Sequence, residues 1–136
     1  MKNFVFFNSN PKQRFFKKTG EPVCWNGVDC TVRALTAAEC VSWKDAYKLL
    51  CNTGLEEYKM PHDENVFKKV CEKLGYSFET FKSNERVPIY EFVNQHPRGT
   101  YIVRTRSHVT AVVDGKYYDT YDCGSSYVTS YWKKQK

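Results

Sequence analysis

The chain has 136 residues, of which 16% are aromatic, and it carries a formal net charge of +6. This length suits one compact domain over residues 1–136, and the aromatic content is too high for a disordered chain. No apolar run approaches the ~20 residues of a membrane span, and the first 18 residues lack the features of a signal peptide. We therefore expect a cytoplasmic protein that does not bind a membrane.

The positive charge is concentrated at the two ends of the chain. Residues 11–18 read "PKQRFFKK" and the last five read "WKKQK". Lysines near chain ends are commonly solvated tails, which is the interpretation that we favour for both clusters. The aromatic residues within the first cluster are also typical of platforms that stack nucleic-acid bases, so a nucleic-acid partner is the less favoured alternative.

The first predicted helix follows the turn residues Asn26 and Gly27. Asp29 is placed to cap it, and apolar residues recur at helical spacing from Ala34 to Val41. Cys30 then lies in the first helical turn, where the free N–H groups and the helix dipole favour a thiolate. This position makes Cys30 the candidate nucleophile among the cysteines.

Two more amphipathic helices follow in the chain. One is predicted from the capping pair Ser42 and Asp45 to a stop at Gly54, and the next from a cap at Asp63 to a stop at Gly75. Their apolar residues recur at three- and four-residue spacings, so each helix has one face to bury.

A change of pattern occurs around residue 98. Before it, a short strand is predicted around Phe78 and a short helix with Pro88 near its first turn. After it come four segments with strand character, "GTYIVRTR", "HVTAVV", "KYYDTY" and "SYVTSYW". Helices followed by strands predict an α+β fold, in which an N-terminal helical half packs on a C-terminal antiparallel sheet.

Asp114 and Gly115 predict a β-hairpin between the second and third of these strands. A type I′ turn needs positive φ at both central residues, and Asp-Gly tolerates it. Residues equally distant from such a turn lie opposite one another, so Val113 pairs with Lys116. The same register places Thr110 opposite Asp119.

The hairpin register assigns one aspartate to His108. Side chains alternate between the two faces of a strand, so His108 and Thr110 point the same way and Asp119 lies diagonal to His108, within reach of a hydrogen bond. Asp122 falls on the other face, and Asp114 lies in the turn. A histidine that is merely satisfied within the sheet is the alternative interpretation.

Together, Cys30, His108 and Asp119 are the three parts of a thiol nucleophile, its base and the group that orients the base. The six cysteines follow no zinc-binding spacing, and without a secretory signal they are expected to be free thiols. Neither a metal nor another cofactor is expected.

The segments "NGVDCTVRALTAAECVSWKDAY" and "HPRGTYIVRTRSHVTAVVDGKYYDTYD" resemble papain-like cysteine peptidases, most closely a small group found in bacteriophages and bacteria. The resemblance spans about residues 26–122. It implies a papain-like fold and a peptidase that acts on a protein or peptide through an acyl-enzyme. Cys30 is then the nucleophile, His108 the base and Asp119 the orienting residue.

Two residues near Cys30 are also considered, Asn26 from the same resemblance and Arg33 from its position. Larger relatives carry a glutamine that donates to the oxyanion, and the side-chain amide nearest upstream here is Asn26. The backbone N–H of Cys30 is the favoured donor. Arg33, one turn after Cys30, is expected to form a structural ion pair rather than to contact substrate.

Two other functions are open at this point. The same triad performs transamidation or deamidation when an amine attacks the acyl-enzyme or when glutamine is the substrate. A basic nucleic-acid-binding module that retains only a relic of the triad is the non-enzymatic alternative.

Overall fold

The computed structural model describes residues 3–12, 29–81 and 85–135. These residues form four helices and eight strands. In chain order the elements are β1 (Phe4–Phe6), α1 (Cys30–Glu39), α2 (Trp43–Glu57), α3 (Glu64–Lys73), β2 (Tyr76–Thr80), β3 (Val87–Pro88), α4 (Ile89–Gln95), β4 (Thr100–Arg104), β5 (Val109–Val113), β6 (Lys116–Asp119), β7 (Tyr127–Val128) and β8 (Ser130–Lys134).

Six strands form one sheet in the order β1-β6-β5-β4-β8-β2, and β3 pairs with β7 separately. All neighbours in the large sheet are antiparallel except β1 and β6, which run parallel with Phe4 opposite Tyr117. The α+β class is confirmed and the sheet is mainly antiparallel, but the parallel strand β1 at this edge was not predicted. A three-residue strand is too short to show an alternating pattern in the sequence.

The sheet separates two apolar clusters. In β4, Ile102 packs with side chains of α1, α2 and α3, whereas its neighbours Tyr101 and Val103 pack with side chains of α4. Because side chains alternate along a strand, the helices cover both faces of the sheet. Helices α1 to α3 lie on one face and α4 on the other.

The predicted hairpin is present between β5 and β6. Asp114 and Gly115 have φ values of 49° and 78°, as a type I′ turn requires. Val113 pairs with Lys116, and the register continues to Ala111 opposite Tyr118. The predicted register is therefore confirmed.

Most of the predicted helix ends are also confirmed. The side chain of Ser42 accepts a hydrogen bond from the Asp45 amide at the start of α2, and that of Asp63 accepts one from the Asn65 amide at the start of α3. Gly75, just after α3, has a φ of 88°. These ends follow from short-range chemistry that the sequence displays directly.

Gly54 does not end α2, which continues to Glu57 and is capped by Tyr58 in the left-handed conformation. Gly54 is buried, and a Cβ atom there would lie 2.6 Å from the carbonyl oxygen of Lys59. The glycine therefore allows the returning chain to approach the helix closely.

The basic C-terminal segment is not a solvated tail, contrary to expectation. Trp132 is buried in β8, and Lys134 at the end of this strand pairs with Glu39 at 3.0 Å and donates to the Leu74 carbonyl at 2.6 Å. The other cluster, residues 11–18, lies outside the described residues from residue 13 onward. Within the described part of the chain, no helix combines the length and apolar character that a membrane crossing needs.

Candidate active site

Cys30 is the first residue of α1, and this end of the helix packs against β5. The half-buried thiol of Cys30 lies beside the backbone amide of Val109 and the side chain of His108, and both groups lower its pKa. Val109 begins β5 and follows His108 directly in the chain. The packing of α1 on β5 thus brings the predicted nucleophile to the predicted base.

Asp29 occupies the cap position of α1, as predicted, but its side chain does not cap the helix. One carboxylate oxygen pairs with Arg33 at 2.5 Å, and the other accepts hydrogen bonds from Trp43 Nε1 at 3.0 Å and Asn10 Nδ2 at 3.4 Å. Arg33 is therefore in the structural ion pair that was expected of it. The carboxylate fastens α1 to α2 and to the N-terminal segment.

Because the Asp29 side chain bonds to other residues, it does not cap the first amides of α1. The first bond of the helix runs from the Arg33 amide to the Asp29 carbonyl at 2.9 Å, and no side chain of the described residues caps the preceding amides. Cys30 and Thr31 thus present backbone N–H groups at the positive end of the helix. Such groups favour negative charge on the Cys30 sulfur and on an oxygen bound beside it.

His108 is fixed from the side opposite Cys30 by Asp119. Nε2 of His108 lies 2.5 Å from Oδ2 of Asp119, and these side chains are only 11% and 3% exposed. This is the aspartate that the hairpin register predicted. Because Nε2 is engaged, Nδ1 is the ring nitrogen left for the thiol.

Asp119 is itself firmly held. The amide of Thr120 donates to Oδ1 at 2.7 Å, and the thiol of Cys123 donates to Oδ2 at 3.5 Å. The backbone carbonyl of Asp119 accepts from the Phe7 amide at 2.8 Å, next to the parallel pairing of β1 and β6. The carboxylate therefore has little freedom to leave the imidazole.

The two other aspartates of this region have structural partners. Asp114 Oδ1 accepts from the Gly99 amide at 3.0 Å, which ties the hairpin turn to the start of β4. Asp122 Oδ1 accepts from the Gly124 amide at 3.0 Å and from the hydroxyl of Tyr117. As predicted, neither is the partner of the imidazole.

The three side chains shift one another's pKa values. Burial disfavours a charged Cys30, but the His108 hydrogen bond, the Val109 amide and the positive charges of His108 and Arg33 outweigh it, so the pKa of Cys30 is lowered. Burial likewise opposes a charged His108, but its bonds to Asp119 and the nearby thiols raise its pKa. The pKa of Asp119 is lowered, since the His108 interaction outweighs burial. These directions favour a thiolate–imidazolium pair beside a carboxylate.

Cys123 belongs to the site but was not predicted. Ligand-type atoms of His108, Asp119 and Cys123 all lie within 4.8 Å of one another. Two ligands of one tetrahedral zinc ion would be about 3.4 Å apart, given bonds of ~2.1 Å. The 2.5 Å between His108 Nε2 and Asp119 Oδ2 is too short for two ligands of one zinc ion and suits a short charge-assisted hydrogen bond, so we assign the group to hydrogen bonding.

Tyr121 covers the outer side of the imidazole. Its ring centroid lies 5.2 Å from that of His108, at an interplanar angle of 45°, and the side chain is exposed. A ring in contact with the imidazole removes part of the imidazole surface from water.

A pocket of about 230 Å³ opens beside Cys30 and His108. Its apolar surface comes from Phe67, Val109 and Trp132. Charged side chains line it as well, and the reacting groups thus face a recess that an acyl group could enter.

The N-terminal segment supports both halves of the site, which the sequence did not predict. Phe7 bonds the backbone of Asp119, as described above. Ser9 Oγ accepts from Thr36 of α1 at 2.9 Å, and Asn10 reaches Asp29. These contacts connect the strand that carries Asp119 with the helix that carries Cys30.

Two predicted features lie outside the described residues: Asn26, the expected oxyanion donor, and Cys24. The five described cysteines are free thiols, as predicted; they are Cys30, Cys40, Cys51, Cys71 and Cys123.

Comparison with family models, with curated proteins and with solved structures found no match to this chain.

Proposed function

We propose that this chain is a cysteine hydrolase of papain-like organisation that acts on protein or peptide substrates. Cys30 is the nucleophile, His108 the general acid and base, and Asp119 the orienting carboxylate. The observation that carries the proposal is the position of His108, which is hydrogen-bonded to Asp119 and lines the same pocket as the Cys30 thiol whose pKa it lowers. No cofactor is required for this chemistry.

Acylation begins from the thiolate–imidazolium pair. The Cys30 sulfur attacks the carbonyl carbon of the substrate, and the carbonyl electron pair moves to oxygen. As the tetrahedral intermediate collapses, the C–N bond breaks and His108 gives its Nδ1 proton to the departing amine. A thioester between Cys30 and the acyl group remains, and His108 is neutral.

Water completes the cycle. His108 accepts a proton from the water molecule as the water oxygen attacks the thioester carbonyl, and the C–S bond then breaks. The carboxylic acid leaves, Cys30 is again a thiolate and His108 is again an imidazolium. Asp119 keeps the imidazole oriented and stabilises its charge throughout.

The backbone amide of Cys30 is the proposed donor to the oxyanion in both steps. It lies at the uncapped N-terminus of α1, where a dipole and unused N–H groups favour a negative oxygen. Asn26 is proposed as a second donor, on the family resemblance alone.

Selective alkylation tests this proposal most directly. Cys40 is exposed and Cys30 is half-buried, so exposure alone would make Cys40 react first. With iodoacetamide in limiting amount near pH 6, we expect mass spectrometry to find Cys30 labelled at least tenfold faster, because the thiolate is the reacting form. His108→Ala should slow Cys30 and leave Cys40 unchanged. Equal rates for the two cysteines in the wild-type chain would refute the nucleophile assignment.

Product analysis then identifies the reaction. Peptide reporters should give free acids in water. Amide products in the presence of an added amine, or ammonia release from glutamine, would indicate the transamidase or deamidase alternative with the same triad. Binding of nucleic acid that weakens steeply with salt, without selective labelling of Cys30, would favour the binding module.

A further inference from the structure

The pocket beside Cys30 has the size of one side chain. Its volume of about 230 Å³ is below the ~300–1,000 Å³ that is usual for complete small-molecule ligands. One chain residue spans at most ~3.6 Å, so a residue next to the reacting carbonyl can place its side chain in an adjoining recess. A polymer that inserts one side chain fits this recess better than a free small molecule does.

The floor of the pocket is apolar and rigid. Phe67 and Trp132 are 3% and 2% exposed, and their rings meet edge to face with centroids 5.2 Å apart. A third ring, that of Phe78, lies 5.1 Å from the ring of Trp132. A fixed aromatic floor favours an aromatic or large aliphatic side chain, because burial of such a group gains the most from leaving water.

Among the described residues, the rim of the pocket carries one arginine that pairs with no carboxylate. Arg104 is paired with Glu64, so these two charges compensate each other. Arg106 lines the same rim and is exposed, and no carboxylate of the described residues pairs with it. A carboxylate on the substrate would complement this arginine.

We infer that the favoured substrates carry a large apolar side chain beside the reacting carbonyl and an acidic side chain at a neighbouring position. The apolar side chain occupies the pocket floored by Phe67 and Trp132, and the acidic one contacts Arg106. This inference rests on the proposed function of Cys30. The preference for an apolar side chain should be stronger than the preference for an acidic one, because burial of a side chain contributes more than an exposed ion pair does.

Peptidyl ketones that alkylate thiols test the inference without requiring turnover. Four probes combine Phe or Ala next to the reactive carbonyl with Glu or Gln at the neighbouring position, and a fifth carries Phe with Lys. The readout is the second-order rate constant for modification of Cys30, with iodoacetamide as the reference for intrinsic reactivity. We expect the probes with Phe to modify Cys30 roughly tenfold to a hundredfold faster than the probes with Ala. The probes with Glu should react about two- to fivefold faster than those with Gln, and this ratio should decrease at high salt.

A charge reversal with a matched control tests Arg106. Arg106→Glu should make the Lys probe faster than the Glu probe, whereas Arg98→Glu makes the same charge change at an exposed position outside the pocket and should keep the wild-type order. Identical effects of the two substitutions would show that the preference reflects net charge and would overturn the role of Arg106.

The outcomes also separate the inference from the proposed function. If iodoacetamide labels Cys30 selectively but the Phe and Ala probes react equally, the pocket assignment is wrong and the nucleophile assignment stands. If Cys30 shows no selective labelling, the proposed function is wrong and the substrate preference is wrong with it.

Discussion

Two thiols, Cys30 and Cys123, interact with the same imidazole, yet their pKa values shift in opposite directions. The pKa of Cys30 is lowered, whereas that of Cys123 is raised. Both side chains are removed from water, and burial alone raises the pKa of a thiol. The difference therefore comes from the other groups around each sulfur.

Those groups are placed by the fold. Cys30 stands at the start of a helix, with the Val109 amide and the Arg33 charge nearby. Cys123 is fully buried, and the Asp119 carboxylate to which it donates opposes a second negative charge. Proximity to a histidine is thus not sufficient to activate a cysteine, because the remaining neighbours decide which thiol ionises.

Removal of each thiol is the most severe test of this contrast. Cys30→Ala should lower kcat by about 10⁴-fold or more, because no nucleophile remains, whereas Cys123→Ala should cost less than tenfold. Both are measured with one peptide reporter, and a melting curve for each variant verifies folding. Comparable losses in two folded variants would mean that Cys123 takes part in the covalent chemistry.

One of the charges that distinguish the two thiols is the carboxylate of Asp119. Asp119→Ala should lower kcat by about 10²- to 10⁴-fold and leave a weak activity, because the nucleophile and base remain without orientation. Asp122→Ala, whose carboxylate is bonded to Gly124 and Tyr117, should stay within a few-fold of wild type. A larger loss in Asp122→Ala than in Asp119→Ala would overturn the assignment of the orienting residue.

The pH dependence of stability tests whether Asp119 and His108 interact as charged partners. The lowered pKa of Asp119 contributes stability above the unfolded value of ~3.9, and this is lost as pH falls through the folded value. The raised pKa of His108 contributes stability that is complete below ~6.5 and is lost as pH rises toward the folded value. The free energy of unfolding of the wild type should therefore exceed that of Asp119→Asn most between about pH 4 and 6.5, by about 1.5–3 kcal/mol, as for a hydrogen bond between charged groups.

Urea unfolding of the two proteins at pH 3, 5 and 9 measures this difference. The difference between their free energies of unfolding should be largest at pH 5 and smaller at pH 3 and pH 9. A gap that stays constant over the three pH values would mean that Asp119 and His108 do not interact as charged partners.

The parts of the site that sequence could predict follow from local rules. A two-residue Asp114–Gly115 turn fixes the pairing of every later residue in its hairpin, so the partner of His108 could be chosen among three aspartates. The helix start before Cys30 was similarly visible, since a turn and an apolar repeat mark it. Both depend on residues close together in the chain.

The parts that sequence could not predict depend on distant contacts. Asp29 looks like a helix cap, but Trp43 and Arg33 compete for its carboxylate once α1 and α2 pack together. Gly54 looks like a stop until the returning chain is known to approach it. Cys123 follows Asp119 by four residues, and only the folded loop turns its sulfur back to the carboxylate.

Substitution of Cys123 by alanine and by serine tests the smallest expected effect, which is that of the Cys123 thiol on the pKa of His108 and on kcat/KM. Its thiol donates to Asp119, and its interaction with His108 raises the pKa of the imidazole. Cys123→Ala removes both contacts, so kcat/KM should fall by about two- to tenfold, in line with one hydrogen bond, and its alkaline limb should move to lower pH. Cys123→Ser keeps a hydroxyl donor of similar size and should restore most of the activity and the position of that limb.

A residue with a purely packing role would lose stability in the Ala variant but would leave the pH profile unchanged. If the alkaline limb coincides in all three proteins while the Ala variant melts earlier, Cys123 only fills space, and the Thr120 amide still holds the Asp119 carboxylate by a hydrogen bond.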